Sequence, residues 1–279
     1  MLDSPLKSKY IKHLTPIPTF LRKNGKLEEK VKSILFDIYG TLFISGSGDI
    51  STAKKKLEKT REIEDLLTRF KVKKKAETVF KDYFAAIEKE HANLRKKGVD
   101  FPEVNIDKIW MDVLDANIEM ARKFAVEYEL ITNPVYPMPH LNELLSRCRE
   151  KGIYTGIISN AQFYTSSLFD WFFETDLEGL GFDHDLIFFS YLSGYAKPSV
   201  FMFQAAADKL KETGISPGSA LYLGNDMLND IYPAKAVGFK TALFAGDARS
   251  LRLRKEKPKC KKISPDIVIT DLLQLIEFI

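Results

Sequence analysis

Apolar residues change their spacing along the chain, and each change predicts a different kind of structure. Residues 1–30 are polar, with Pro16 and Pro18 interrupting any helix, so an extension packed on or near the core is expected. From Ser33 the character shifts. Ile34, Leu35 and Phe36 form a short apolar run that ends at Asp37 and is followed by Gly40, the pattern of a buried strand opening into a tight turn. Between Ser51 and about Ile131 apolar residues recur at three- and four-residue spacing, as in Leu66, Leu67, Phe70 and then Val79, Phe80, Phe84. Apart from a break at Gly98–Pro102 there are almost no turn residues, which predicts an all-helical insert of roughly four helices.

After Pro134 and Pro137 short apolar runs alternate with helical stretches. A helix over His140–Lys151 leads to Gly152 and the run Ile153–Ile158, and a second helix follows Asn160. Then come Leu186–Ser190, a helix opening at Pro198–Ser199, the run Ala220–Leu223, a helix ending near Gly238, the run Thr241–Phe244, and a last strand–helix pair from Asp266. This alternation predicts an α/β fold: a Rossmann-like parallel sheet with helices on both faces. The expected division is an extension over 1–30, a core domain from 31–45 and 136–279, and a helical domain over 46–135.

Composition narrows the class. The 279 residues are 45% hydrophobic and 29% charged, the mix of a soluble globular protein. A net charge of +4 favours an anionic small-molecule substrate slightly and does not by itself indicate nucleic acid. Cys148 and Cys260 lie far apart without the spacing of a disulfide framework or zinc site, which suits a reducing cytoplasm. No apolar stretch approaches the roughly 18 residues of a membrane span, and Met1–Lys12 lacks a signal-peptide run. The basic segment Arg252–Lys262 is expected as a solvated loop. His13, His91, His140 and His184 show no ligand spacing, and the aromatic cluster Phe163, Tyr164, Phe169, Trp171, Phe172 and Phe173 is expected in core or interface. Oligomeric state is not set by the sequence.

Ligands of an open parallel sheet bind beyond the carboxyl ends of its strands, so the residues after each apolar run are candidates for chemistry. The first run delivers Asp37-Ile38-Tyr39-Gly40-Thr41, the second Ser159 and Asn160, the third Lys197 before Pro198, and the fourth Gly224-Asn225-Asp226 with Asn229-Asp230. Asp37, Asp226 and Asp230 would repel one another in one crevice, and Mg²⁺, a hard cation with oxygen ligands, relieves that repulsion. Lys197 adds a point charge, and Ser159 and Thr41 can donate hydrogen bonds to a common group. With this shielding, an aspartate carboxylate can attack an electrophile and form a covalent intermediate. Plainer readings exist too: Ser159 and Asp230 as helix caps, and Lys197 as a surface lysine before a helix start.

The ordered segments Asp37–Thr41, Ile158–Asn160, Gly194–Pro198 and Gly224–Asp230 resemble the four motifs of the haloacid dehalogenase-like superfamily, over about residues 31–279. The helical insert falls between the first and second, as in members with a helical cap. The resemblance implies Asp37 as nucleophile, Thr41 and Ser159 as phosphoryl or leaving-group contacts, and Lys197 as stabilising cation. It implies a metal at Asp226 and Asp230, reached also by the Asp37 carboxylate and the Tyr39 backbone carbonyl, with Tyr39, Gly40 and Asn160 at the substrate. One position departs: phosphatases of this superfamily usually carry aspartate two residues after the nucleophile, and here it is Tyr39. Tyrosine there resembles the 2-haloacid dehalogenases, which look metal-independent, whereas Asp226 resembles the metal-using branch. Three functions stay open: a Mg²⁺-dependent phosphatase on a small phosphorylated metabolite, a carbon–halogen hydrolase, and a binding or regulatory protein on the same fold.

Overall fold

The computed structural model describes residues 4–46 and 60–279, so the expected helical start at Ser51–Lys59 lies outside the described residues. The strands are β1 (Asn24–Gly25), β2 (Ser33–Phe36), β3 (Phe43–Ser45), β4 (Val135–Pro137), β5 (Tyr154–Ser159), β6 (Phe182–Phe189), β7 (Ala220–Gly224), β8 (Lys240–Phe244) and β9 (Ile267–Ile269). Seven of them form one sheet in the order β1-β9-β8-β7-β2-β5-β6, parallel except at the β1 edge. β2 sits between β5 and β7, with Phe36 opposite both Ile157 and Leu223. The chain after β2 therefore emerges between two other strand tips.

Every residue of β2 is buried, which is what a central strand covered on both faces requires. Successive side chains alternate between faces. Ile34 and Phe36 join the cluster holding Leu141, Leu144 and Leu145 of the helix Leu141–Glu150. Leu35 joins Met202, Phe203 and Ala206 of the helix Phe201–Glu212 on the other face.

The long insertion folds as helices Thr60–Arg69, Ala76–Lys96, Ile106–Leu114 and Ile118–Thr132 around an apolar cluster of their own. At its centre Trp110 is buried, stacked on Tyr83 with ring centroids 4.3 Å apart. Truncating such a side chain to alanine typically costs about 3–5 kcal/mol. Asp115, in the left-handed region, ends the third helix, and Asn117 caps the fourth through Met120 N at 2.9 Å. The two ends of the insertion are drawn together where β3 pairs antiparallel with β4.

Several details differ from expectation. The extension supplies β1, an antiparallel edge strand of two residues, and is pinned before it by Ile17 N on Asp247 Oδ1 (3.1 Å) and Thr19 Oγ1 on the Ala245 carbonyl (2.8 Å). β6 begins earlier than expected, at Phe182, and runs through the half-buried Asp183 and the exposed His184 and Asp185. The segment after β7 is a π-helical turn, Met227–Ile231, running into a short helix, and the chain ends in a 3₁₀ helix. Of the aromatic cluster, Tyr164 is buried among the inserted helices and Phe163 packs beside it, while Phe169 and Trp171 join the core. Among the described residues no helix is long and apolar enough to cross a membrane.

Candidate active site

Asp37 follows β2 directly, and its N–H continues the ladder to the Leu223 carbonyl at 2.9 Å. The turn beyond it is tight: Thr41, Leu42 and Phe43 all donate to the Ile38 carbonyl, and Gly40 N donates to the Phe43 carbonyl. Gly40 has φ +86°, and a side chain there would strike Asn225 Nδ2 and Ser250 Cβ, each at 2.4 Å from an added Cβ. The turn brings Thr41 Oγ1 to 3.2 Å from Asp37 Oδ2.

The neighbouring strand tips complete the arrangement. Ser159, the last residue of β5, donates its hydroxyl to Asp37 Oδ1 at 3.0 Å. Lys197 Nζ donates to Asp37 Oδ1 at 2.7 Å and to Asp230 Oδ1 at 2.6 Å. Asn160 clamps the lysine loop, its Oδ1 accepting Lys197 N at 2.7 Å. Burial opposes the charge on Lys197, but the Asp230 and Asp37 carboxylates outweigh it and hold the ammonium above the ordinary lysine range. Burial also lifts the Asp230 carboxyl above its ordinary range, against the pull of Lys197 and with help from the Asp37 and Asp226 charges.

The two acidic residues after β7 take different places. Asp230 is the inner one, with Oδ1 on Lys197 and Oδ2 accepting Asp226 N at 2.9 Å. Gly224 makes room for it, since an added Cβ would lie 2.4 Å from Asp230 Cγ. Asp226 is the helix cap, with Oδ1 accepting from Leu228 N (2.8 Å) and Asn229 N (3.3 Å). Its carboxylate also receives the Arg254 guanidinium, with Nη2 at 2.7 Å and Nε at 3.1 and 3.2 Å. The expected group of three acids around one cation is thus a pair, Asp37 and Asp230, bridged by Lys197, with Asp226 engaged by a second cation. Among the described residues no three His, Cys, Asp or Glu side chains surround one metal position. The donors are nonetheless all hard oxygens, and Mg²⁺ is commonly held by one or two carboxylates plus waters. That donor set fits Mg²⁺.

Tyr39 turns its hydroxyl to Thr165 Oγ1 at 3.0 Å and packs against the core cluster. Burial, with the charges of Glu129 and Asp37, raises its phenol far above the ordinary range, and its hydroxyl is already engaged by Thr165.

Over these residues lies a cavity of about 320 Å³. Its floor includes Asp37, Lys197, Asn225 and Asp230, and its roof comes from the inserted helices through Tyr83, Tyr128, Glu129 and His91. Sequence reasoning missed several residues here. Tyr222 sits inside an apolar strand run, yet its hydroxyl bonds the Ile158 carbonyl (2.7 Å) and lies 3.1 Å from Lys197 Nζ. Nothing in the sequence marks Glu103, in the loop before the helix Ile106–Leu114, or Glu129, on the helix Ile118–Thr132. In the structure burial raises both carboxyls, softened at Glu103 by Ser190 and at Glu129 by Asn133 and Tyr164. The basic segment is a solvated loop only in part: residues 251–254 are half-buried against the site, and 255–259 are exposed.

A carboxylate held by an ammonium and two hydroxyls, at the tip of a central parallel strand and beneath a cavity partly roofed by the inserted helices, is an arrangement suited to hydrolytic chemistry. The sequence profile of the haloacid dehalogenase-like hydrolases matches residues 31–238, and the chain belongs to that family. It is 27% identical over 222 residues to an uncharacterized hydrolase of Schizosaccharomyces pombe, covering 75% of this chain and 88% of that one. It is 32% identical over 143 residues to the glyceraldehyde 3-phosphate phosphatase of Pyrococcus furiosus, covering 50% of this chain and 53% of that one. Among solved structures, the 2-haloacid dehalogenase of Pseudomonas syringae pv. Tomato shares the fold with a TM-score of 0.54 at 18% identity, covering 89% of this chain and 97% of that one.

Proposed function

We propose that this chain is a Mg²⁺-dependent phosphohydrolase of small phosphorylated metabolites, with Asp37 as nucleophile. The observation that carries the reading is the grouping of the Asp37 carboxylate with Lys197, Ser159 and Thr41, all within 3.2 Å, on the floor of one cavity. A phosphoryl group set against Asp37 meets a fixed ammonium and two hydroxyl donors, the electrostatic complement of developing negative charge. An Asp37 oxygen bonds to phosphorus as the ester P–O bond breaks, and the electron pair leaves with the alcohol oxygen. Water then attacks the aspartyl phosphate, releasing inorganic phosphate and restoring the carboxylate. Bound Mg²⁺ supplies charge neutralisation for the phosphoryl oxygens, and Asp37, Asp230, Asp226 and the Tyr39 backbone carbonyl are the groups that would hold it.

With the usual aspartate replaced by Tyr39, whose hydroxyl is engaged by Thr165, solvent protonates the departing oxygen, and substrates whose leaving group is stable as an anion turn over fastest. The helical insertion serves as a cap over 46–135 that selects substrate and excludes water, over a core built from 31–45 and 136–279. The similarity to a glyceraldehyde 3-phosphate phosphatase supports a phosphate ester of a small metabolite as substrate. Phosphate release from a panel of esters, with Mg²⁺ and with chelator, tests the reading. Release should require Mg²⁺ and vanish in Asp37→Asn; metal-independent release, or full activity of the variant, refutes it.

Tyr39 favours a second reading, carbon–halogen hydrolysis, in which Asp37 displaces halide from carbon and no proton is needed on the leaving group. Halide release from 2-haloacids that persists in chelator would establish it, and silence across the panel would end it.

A further inference from the structure

The residue that does not belong to the chemistry above is Arg254. It comes from the basic segment, yet it is directed at the site and makes a bidentate pair with Asp226, at 2.7 Å through Nη2. The pairing is built rather than incidental. Arg252 N donates to the Asn225 carbonyl and Met227 N to the Arg252 carbonyl, both at 2.9 Å, so the segment is stitched to the backbone on either side of Asp226. Asp247, fully buried, anchors its start by accepting from Ile17 N at 3.1 Å and Arg249 N at 3.2 Å. Arg254 itself has φ +48°, a backbone conformation that costs a residue with a Cβ and is kept where its surroundings hold it there.

We propose that Arg254 is a built-in competitor of the divalent cation: its guanidinium occupies the Asp226 carboxylate, and a metal ion reaches that carboxylate only by displacing it. The proposal rests on the Mg²⁺ reading above. The two cations of the site differ in how they can respond. Lys197, with a side chain 3% exposed, is enclosed between Asp37 and Asp230 and has nowhere to go. Arg254, with a side chain 26% exposed, lies at the solvent side and can swing out. A pair so placed is weaker than a buried one but is charge-assisted and bidentate. Arg254 therefore sets the affinity for the metal: tight enough to keep the acids neutralised in its absence, loose enough to yield when the ion is plentiful.

Calorimetric titration of the full, chelator-stripped chain with MgCl₂, comparing wild type with Arg254→Gln and Arg254→Lys, tests this. Gln removes the competing charge, so its Mg²⁺ Kd should fall about tenfold, the scale of one partly exposed charge-assisted pair. Lys should fall between, being a point charge without the fork. The metal-free Gln variant should also melt below wild type, and Mg²⁺ should raise its Tm by more. In wild type, which needs no folding control, saturating Mg²⁺ should speed amide hydrogen exchange across Arg252–Lys257. Equal or weaker Mg²⁺ binding in the Gln variant, or unchanged or slower exchange in wild type, overturns the proposal while leaving the Mg²⁺ reading standing. No Mg²⁺ response in any of the three proteins overturns both.

Discussion

Replacing Lys197 by methionine keeps the length and bulk of the side chain and deletes one charge from the centre of the molecule. The ammonium holds Asp37 at 2.7 Å and Asp230 at 2.6 Å, and all three side chains are at least 93% buried, with exposures of 3%, 7% and 2%. Each carboxylate loses a charge-assisted hydrogen bond of roughly 1.5–3 kcal/mol, and breaking a buried ion pair on one side generally costs about 3–5 kcal/mol. The remaining donors, Ser159 and Thr41 on Asp37 and the Asp226 N–H on Asp230, keep the cost from exceeding that range. Against a usual domain stability of about 5–15 kcal/mol, the variant should fold but unfold at distinctly lower urea. Urea titration in chelator, followed by tryptophan fluorescence and far-ultraviolet dichroism, measures it. The decisive comparison is a cycle with Asp230→Asn. In wild type that change should destabilise, because it leaves Lys197 with one partner fewer. In the Lys197→Met background it should stabilise, because it removes an uncompensated buried charge. A deficit below about 1 kcal/mol for Lys197→Met, or Asp230→Asn destabilising equally in both backgrounds, would refute the claim that Lys197 is the electrostatic keystone.

Gly40→Ala should abolish Asp37-dependent turnover and lower stability, because the new Cβ meets Ser250 and Asn225 at a φ of +86°; activity within twofold of wild type would contradict the geometry. Asn160→Ala should lower kcat more than it raises KM, since it releases the loop that carries Lys197 without removing a substrate-binding charge; a pure KM effect in steady-state kinetics would argue otherwise. Burial raises the Glu103 carboxyl above its unfolded value. A raised carboxyl leaves stability untouched at pH below the unfolded pKa of about 4.3 and reduces it as pH climbs toward and past the folded value. Glu103→Gln should therefore gain in Tm relative to wild type between pH 4 and pH 8, while Ser190 Oγ can turn to the Ala161 carbonyl 3.2 Å away; a pH-independent difference would count against the assignment.

The elements legible in the sequence were those where local pattern and tertiary demand agree. Apolar runs closed by Asp37, Ser159 and Gly224 could only be central strands, and their tips could only meet at one edge. What escaped depends on contacts far apart in the chain. β1 is two residues long and exists because it pairs with β9, Asn24 opposite Val268 and Gly25 opposite Ile267, from the far end of the chain. Tyr222 is one more apolar position until its hydroxyl reaches Ile158 and Lys197 across the sheet. The spacing of Asp226 and Asp230 shows that both approach the site, but not that Asp226 is spent on capping its own turn and on Arg254, because that partner arrives from a loop whose composition reads as solvent-facing. Glu129 sits on a helix and Glu103 in the loop before Ile106–Leu114, both among many charged residues, and only the cavity they help to line distinguishes them.

The lysine loop is stitched to the inserted helices: Ala196 N donates to the Phe101 carbonyl at 2.7 Å, and Glu103 N to the Gly194 carbonyl at 3.0 Å. Gln162, just past β5, adds a bond from Nε2 to the Val104 carbonyl at 2.9 Å. Lifting the roof thus cannot be a motion of the helices alone. It strains backbone bonds at Ala196 and Gly194, one and three residues before Lys197, in the loop that carries the ammonium to Asp37. With Asp37 in the role proposed above, opening the chamber and seating the ammonium on that carboxylate are coupled through these bonds.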